Sequence, residues 1–162
     1  MGFFRWELGH SYYGLSPMDG YTDSAFRQVV KEVSGDDLLV TFTEFTSADG
    51  LYHAKGRLQQ KLAFNDVERP IIAQIFGKDD QTFIQAARVC EEMGFDGIDI
   101  NMGCPSKKVV RSEHGVALRK NHDLAFRLIE SLAQNTSLPV SVKTRLGWAD
   151  ASDLITFGIG AQ

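Results

Sequence analysis

The sequence of 162 residues has few cysteines, few prolines and no long apolar run. Its two cysteines, Cys90 and Cys104, are too few for a disulfide scaffold, which indicates a reducing, cytoplasmic setting. No stretch approaches the roughly 18 continuous apolar residues of a membrane-spanning helix. The amino-terminal segment contains Arg5, Glu7 and His10 among its aromatic residues and has no long apolar core, so it does not resemble a signal peptide.

Metal binding and extended nucleic-acid binding are also not indicated. Neither cysteine has a second cysteine at short spacing, and the four histidines show no metal-ligand spacing, so we predict no metal site. The formal net charge of −4 argues against a chain that grips nucleic acid over its whole surface. It leaves room for a local basic patch.

What the sequence does contain is an alternation of apolar, β-branched segments with amphipathic ones. The predicted strands are 12–16, 38–44, 71–76, 97–101 and 140–144. The predicted helices are 23–33 with Thr22 as N-cap and Gly35 as its end, 47–62, 80–93, 123–133 and one that opens at Asp150 or Ser152. Strands that are apolar on both faces are typical of a parallel sheet covered by helices.

Two α/β architectures fit this alternation. A five-stranded doubly wound sandwich fits the length, whereas a TIM-type (β/α) barrel needs eight units and about 250 residues. The apolar residues of 154–159 look like the face of a helix that has only just begun. Either this helix caps a complete sandwich or the chain is the front part of a longer barrel.

Both architectures collect functional groups where parallel strands end, at the carboxyl edge of the sheet. Each predicted strand delivers polar or special residues there. They are Ser16, Pro17, Met18 and Asp19; Thr43 and Glu44; Gln74; Asn101, Gly103 and Cys104; and Lys143, Thr144 and Arg145.

Several of these side chains have two readings on sequence alone. Gln74 lies in an apolar strand, where a buried amide serves either a structural network or a ligand. Lys143 lies among valines, so its ammonium either forms a buried ion pair with Glu44 or faces an anionic or electron-rich ligand. Cys90 lies on the inner face of a helix and is expected to pack in the core.

Cys104 differs because it follows the fourth predicted strand, where a loop can expose it. A Cys-His hydrolase would need a base, and His114 is ten residues on, but no orienting acid is evident. Proton donation by the thiol fits a site that also adds a hydride to an electron-poor double bond. A hydride needs a cofactor, and no G-x-G-x-x-G follows the first strand, so a flavin at a barrel mouth is more consistent with Gln74 and Lys143.

Five segments in order resemble motifs of the tRNA-dihydrouridine synthase family: SPMDGYTDSAFR at 16–27, TEF at 43–45, AQIFG at 73–77, GIDINMGCPSKKV at 97–109 and VKTRLGW at 142–148. The resemblance implies a TIM-type barrel that binds FMN, takes electrons from NADPH and reduces a uridine of tRNA. Residues 1–162 would then form about five of the eight βα units of a partial catalytic domain. The remaining barrel strands and a helical RNA-binding domain would be absent from it. The alternatives are a related flavin barrel that reduces a free pyrimidine or another small molecule, and a truncated, non-catalytic fragment.

The resemblance also assigns roles, residue by residue. The hydride would pass from flavin N5 to C6 of uracil, and Cys104 would be the acid that protonates C5. The flavin would be held by Ser16, Pro17, Met18, Gln74 and Lys143, the last near the N1–O2 region of the ring. The extruded base or the flavin would contact Asn101 and Arg145, and phosphates of the RNA would contact Lys107, Lys108 and Arg111.

The family's His-Gly-Arg motif and its glycine-rich loop for the FMN phosphate do not occur in these 162 residues. We therefore expect the 162-residue chain alone to bind FMN weakly or not at all, because the phosphate is the most charged part of the cofactor. Purification of this chain with stoichiometric FMN would contradict the expectation.

Overall fold

The computed structural model describes residues 11–35, 40–53, 56–148 and 151–161. The amino-terminal segment through His10, the first two residues of the predicted strand 38–44, and Asp150 lie outside the described residues. Statements below about elements and contacts refer to the described part of the chain.

The elements alternate along the chain as the sequence predicts. The strands are β1 (Gly14–Leu15), β2 (Val40–Phe42), β3 (Thr46–Ser47), β4 (Ile71–Phe76), β5 (Gly97–Met102) and β6 (Val140–Thr144). The α-helices are α1 (Ser24–Ser34), α2 (Ala48–His53), α3 (Arg57–Lys61), α4 (Asp80–Glu92), α5 (Lys107–Arg111), α6 (His122–Gln134) and α7 (Leu154–Gly160). Two 3-10 helices cover Asp66–Glu68 and Gly115–Lys120.

The strands form one parallel sheet in the order β1-β2-β4-β5-β6, and the short β3 pairs with the end of β4. Because the order follows the chain in one direction, right-handed crossovers put the helices on one face. A doubly wound sandwich would instead reverse its strand order at a switch point. The curled sheet is therefore an incomplete TIM-type (β/α) barrel, which confirms the fold prediction and excludes the alternative sandwich.

The two faces of the central strands differ in chemistry because side chains alternate along a strand. The outward-facing residues of β4 and β5 are buried in one hydrophobic core with α2, α4 and α6; on β5 they are Ile98, Ile100 and Met102. The inward-facing residues include polar ones: Gln74 on β4 pairs in register with Asp99 on β5, although Ile72 and Phe76 share the face of Gln74. The centre of the sheet thus presents polar groups to the barrel interior.

Three predicted helix boundaries are wrong. The last helix, α7, begins at Leu154 rather than at Ser152. The segment 47–62 is not one helix: Thr46–Ser47 is strand, and α2 and α3 follow as separate short helices. Gly56, which precedes α3, has φ 107°, a left-handed conformation that interrupts a right-handed helix. The N-cap of α1 is Asp23 rather than Thr22, since the Asp23 carboxylate accepts from the Phe26 N–H at 2.9 Å.

A buried ion pair that the sequence did not suggest joins α1 to the turn before β4. The Arg27 Nε lies 2.6 Å from the Glu68 carboxylate, and both side chains are almost fully buried. The guanidinium also donates to the backbone oxygens of Thr22 and Ala63, at 2.7 and 3.2 Å. Glu68 in turn accepts from the Asn65 N–H at 2.7 Å. Arg27 is the last residue of the segment 16–27 that resembles the family. Its role is therefore structural, and it lies away from the carboxyl edge of the sheet.

Candidate functional site

Cys104 lies in the loop between β5 and α5, at the carboxyl edge of the sheet, and is half-buried. The side chain of Asn101, the last inward-facing residue of β5, holds this loop. Its Oδ1 accepts from the Cys104 N–H at 2.9 Å and from the Gly103 N–H at 3.2 Å. On the far side, the Cys104 carbonyl accepts from the Val116 N–H at 3.2 Å. The backbone around the thiol is therefore fixed from both directions.

Gly115 makes the second of these contacts possible. Its φ is 60°, and a Cβ built there would lie 2.7 Å from the Cys104 carbonyl oxygen and 3.2 Å from the Cys104 Cβ. No side chain larger than hydrogen fits between the two segments without a shift of backbone. The sequence patterns single out His114 beside it and not Gly115, although glycine is a strong marker of turns.

Two adjoining cavities open on the inner face of the barrel. The cavity beside Cys104 has a volume of about 360 Å³ and is lined by Pro17, Asp19, Phe45, Asn101, Gly103, Cys104, Pro105, Ser106, Lys143 and Arg145. The other has about 340 Å³ and is lined by Gly14, Ser16, Pro17, Phe42, Asp99, Ser141, Val142 and Lys143. Pro17 and Lys143 line both cavities. The two volumes therefore lie side by side, with the lysine at their common boundary.

Lys143 is exposed and lies on β6, the outermost strand of the described sheet, opposite Asn101. The first of its two readings, a buried ion pair with Glu44, is therefore wrong. Among the described residues no ion pair joins the two, and the Glu44 carboxylate accepts from the Gly20 N–H instead. The remaining reading, a lysine that faces a ligand, agrees with its place in both cavity walls.

A chain of hydrogen bonds runs across β5, β4 and β6, and three of its residues, Asn101, Asp99 and Ser141, line the cavities. Asn101 Nδ2 donates to Gln74 Oε1 at 3.0 Å, and Gln74 Nε2 donates to Asp99 Oδ2 at 2.7 Å. The Ser141 hydroxyl donates to Asp99 Oδ1 at 2.7 Å. Gln74 thus serves a structural network, one of its two readings, and its amide keeps one N–H and one lone pair for a ligand.

Asp99 is the acidic end of this chain and is 2% exposed. Burial raises the pKa of its carboxyl to about 6, while hydrogen bonds from Gln74 and Ser141 and the charge of Lys143 oppose the rise. Neither Asp99 nor Ser141 was among the predicted site residues. The signal for Asp99 was present, because a carboxylate at an inward position of an apolar strand must find partners.

The basic residues after Cys104 lie on a helix rather than in a loop. Lys107, Lys108 and Arg111 belong to α5 and are exposed, while Val109 turns to the core. Lys107 also lines a groove of about 330 Å³ with Pro105, Arg145 and Trp148. The groove shares Pro105 and Arg145 with the cavity beside Cys104, so positive charge extends from that cavity onto the surface.

The predicted site residues therefore separate into two groups. The two adjoining cavities bring together Ser16, Pro17, Asn101, Cys104, Lys143 and Arg145. The residues that line neither cavity are Met18, Gln74, Lys107, Lys108 and Arg111. Arg145 is further fixed because its Nε donates to the Gly103 carbonyl at 2.7 Å, which ties the end of β6 to the Cys104 loop.

The other thiol and His114 have different surroundings. Cys90 lies on α4 and is fully buried in the hydrophobic core, so its predicted packing role is confirmed. Burial raises the pKa of its thiol to about 12. His114 is half-buried, with its ring 5.5 Å from that of Phe76. Burial lowers the pKa of this imidazole below its usual value, and the charge of Lys78 adds to the effect.

Two features are absent from the described ranges. No helix there is long and apolar enough to cross a membrane. Within the same ranges, no group of three or more histidine, cysteine, aspartate or glutamate residues has a metal-binding arrangement.

Residues 14–159 match the model of a protein family described as dihydrouridine synthase (Dus). The chain is 40% identical over 149 residues to a probable tRNA-dihydrouridine synthase 2 of Bacillus subtilis (strain 168), a match that covers 91% of the chain and 45% of that protein. A probable tRNA-dihydrouridine synthase of Staphylococcus aureus (strain COL) is 38% identical over 149 residues, with 91% and 44% covered. The chain thus spans less than half the length of these relatives.

Proposed function

The chain belongs to the dihydrouridine synthase family, and we propose that it forms part of the catalytic barrel of an enzyme that reduces uridine in tRNA to 5,6-dihydrouridine. The observation that carries the proposal is the position of Cys104, which lines one cavity together with Asn101, Lys143 and Arg145. The tRNA substrate is supported by the names of the relatives.

Reduction of the C5=C6 bond needs a hydride donor, and the cavity walls fit the ring of FMN. Lys143 offers an exposed cation, Ser16 and Ser141 offer hydroxyls, and Phe42 offers an apolar surface. We therefore take FMN as the cofactor, and the family resemblance alone suggests NADPH as the reductant. When bound, reduced FMN supplies the hydride that adds to C6 of uracil.

The residues that line the cavities then have roles that their positions support. Ser16 and Pro17 would lie against the flavin. The family resemblance also places Met18 against the flavin and the remaining N–H of Gln74 at the ring edge, although neither residue lines a cavity. Lys143 would bind the electron-rich N1–O2 region of the ring. Asn101 and Arg145 would contact the flavin or the uracil base.

Cys104 completes the reduction by donating the thiol proton to C5. Hydride at C6 and a proton at C5 together add the elements of one hydrogen molecule across the double bond, and the resulting thiolate takes a proton back from water. A thiol is mostly protonated at neutral pH, so it can act as an acid where a carboxylate cannot. The fixed backbone on both sides of Cys104 keeps the thiol aimed at one face of the base.

The exposed basic residues beside the cavity favour a polynucleotide over a free pyrimidine. A uridine must leave the RNA stack to enter a protein cavity. Phosphates next to the extruded nucleotide would then lie near Lys107, Lys108 and Arg111 on α5, which would fix the register of the RNA without reading its sequence.

The test is incubation of the full-length protein with FMN, NADPH and an unmodified tRNA transcript, followed by mass spectrometry of the nucleosides. We expect dihydrouridine at a defined position in the tRNA and none from free uridine under the same conditions. Reduction of free uridine but not of tRNA would favour the related small-molecule reductases. Absence of dihydrouridine with bound, reducible flavin would overturn the proposal.

Lys143→Met in the full-length protein is expected to weaken FMN binding by about 10- to 100-fold. The change keeps most of the aliphatic stem and removes one charge-assisted hydrogen bond, the kind of contact whose loss has an effect of this size. Titration with FMN, followed by flavin fluorescence, measures the affinity, and anaerobic mixing with NADPH measures the rate of flavin reduction.

The matched control is Lys78→Met, because Lys78 pairs with Glu113 at 2.8 Å and lines neither cavity. It should bind FMN as the unaltered protein does. If Lys143→Met also binds and reduces FMN normally, Lys143 has no part in holding the cofactor.

A further inference from the structure

The hydrogen-bond chain across β5, β4 and β6 has a fixed direction. At one end Asp99, when ionised, can only accept, and at the other end the Gly103 and Cys104 N–H groups can only donate. Between them stand Gln74 and Asn101, whose amides could each be turned either way if they stood alone. We call the sequence Asp99–Gln74–Asn101–Cys104 N–H the amide relay.

Both ends of the amide relay require the same orientation of its two amides. Asp99 Oδ2 needs a donor, so Gln74 presents Nε2 to it at 2.7 Å and turns Oε1 towards Asn101. That oxygen needs a donor, so Asn101 presents Nδ2 at 3.0 Å. Asn101 Oδ1 is then left facing the loop, where it accepts from Cys104 N–H at 2.9 Å. Reversal of either amide would place two donors or two acceptors together.

Burial makes this orientation matter. Gln74 is fully buried, Asp99 is 2% exposed and Asn101 is 8% exposed, so water cannot readily replace a lost partner. A mismatched buried amide costs the desolvation of the group that loses its partner. The change that costs the least free energy is loss of the hydrogen bonds from the loop to Asn101, because the loop is the half-buried end of the hydrogen-bond chain.

We propose that Asp99 is a positioning residue that sets the orientation of Gln74 and Asn101 and thereby holds the Cys104 loop against the end of β5. The inference deepens the proposed function, on which its catalytic consequence rests. Asp99 touches neither the loop nor the thiol, and it acts through two intervening side chains. Ser141 satisfies the other carboxylate oxygen and lies outside the amide relay.

Two substitutions at one position separate orientation from charge. In Asp99→Asn, Oδ1 can accept from Gln74 Nε2 while Nδ2 donates to the Ser141 hydroxyl, which can accept, so the direction of the relay survives. In Asp99→Ala, Gln74 loses the acceptor that fixes it. Ser141→Ala is the matched control, because it removes a bond to the same carboxylate from the opposite side.

Residue-resolved hydrogen exchange of the full-length protein gives a readout independent of activity. We expect exchange of the Cys104 amide to rise by about 3- to 10-fold in Asp99→Ala, the loss expected for one hydrogen bond, with the Ile100 amide of β5 unchanged. Asp99→Asn and Ser141→Ala should exchange at Cys104 as the unaltered protein does. An unchanged Cys104 amide in Asp99→Ala, or an Asn variant as fast as the Ala variant, would overturn the proposal.

A measurement on the unaltered protein guards against a variant that fails to fold. The groups facing Asp99 are Gln74 from β4 and Ser141 and Lys143 from β6. The side-chain amide signals of Gln74 should shift with a midpoint near pH 6, and those of Asn101 should follow with a smaller shift. Signals of Asn101 that titrate without Gln74 would contradict transmission through the relay.

The catalytic consequence is tested separately. If the full-length protein reduces tRNA, Asp99→Ala should lower kcat by about 10²-fold with little change in KM for tRNA, as expected for a misplaced catalytic group, and Asp99→Asn should restore kcat. A kcat for Asp99→Ala equal to that of the unaltered protein would overturn this consequence of the proposal. If the unaltered protein forms no dihydrouridine, the proposed function fails, and the exchange experiment still decides whether Asp99 holds the loop.

Discussion

Cys104→Ala in the full-length protein is expected to slow uridine reduction by about 10²–10⁴-fold, the usual contribution of a placed general acid. FMN binding and flavin reduction by NADPH should stay normal, because the substitution removes only the thiol proton that reaches C5. Anaerobic mixing of the reduced, flavin-loaded protein with tRNA isolates the step, since flavin reoxidation then reports uridine reduction alone.

Cys90→Ala is the matched control for the loss of a thiol. Cys90 is fully buried in the core, and burial raises the pKa of its thiol to about 12. Its replacement should lower the stability of the protein through lost packing and leave the rate of uridine reduction intact. If Cys104→Ala reduces uridine at the normal rate over the whole pH range, the thiol is not the acid.

The sequence predicts two strands closely because a proline precedes each of them. β4 and β6 match their predicted bounds, 71–76 and 140–144, since Pro70 and Pro139 precede them. The predicted end of α1 at Gly35 also agrees with the structure, where that residue has φ 54° and caps the helix. These features depend on residues near one another in the chain, which is the information that a sequence pattern carries.

The features that the sequence did not predict depend on distant partners. The sequence patterns say nothing about Glu68, which is buried because Arg27, 41 residues earlier, reaches it. Asp99 finds Gln74 at a separation of 25 residues and Ser141 at 42. Such pairs follow from strand register and helix docking, which periodicity does not encode.

The sequence predicts residues that line the cavities but not the residues that hold them in position. Cys104, Asn101 and Lys143 meet at one edge as expected, because parallel strands bring their carboxyl ends together. The side chains that hold them, Asp99 and Gly115, were not predicted. Gly115 lines neither cavity, and Asp99, which lies in the segment 97–109 and lines one cavity, had no role assigned to it by the resemblance.

Arg27→Met is expected to lower the free energy of unfolding by about 3–5 kcal/mol, because it leaves the Glu68 carboxylate buried without its cation. Urea unfolding of the full-length protein, monitored by circular dichroism, measures the loss. The expected value far exceeds that of an exposed pair, since a buried charge cannot recover its hydration when its partner is removed.

Arg127→Met is the matched control, because it makes the same chemical change in an exposed pair. Arg127 Nε lies 3.1 Å from the Asp80 carboxylate with both side chains partly in water, and its loss should cost about 0–1 kcal/mol. The double variant Arg27→Met with Glu68→Leu should recover much of the lost stability, since an apolar pair carries no buried charge. Equal losses for Arg27→Met and Arg127→Met would show that the buried pair contributes no more to the free energy of unfolding than the exposed pair. A double variant as unstable as Arg27→Met alone would instead place the cost in the other contacts of the guanidinium, to Thr22 and Ala63.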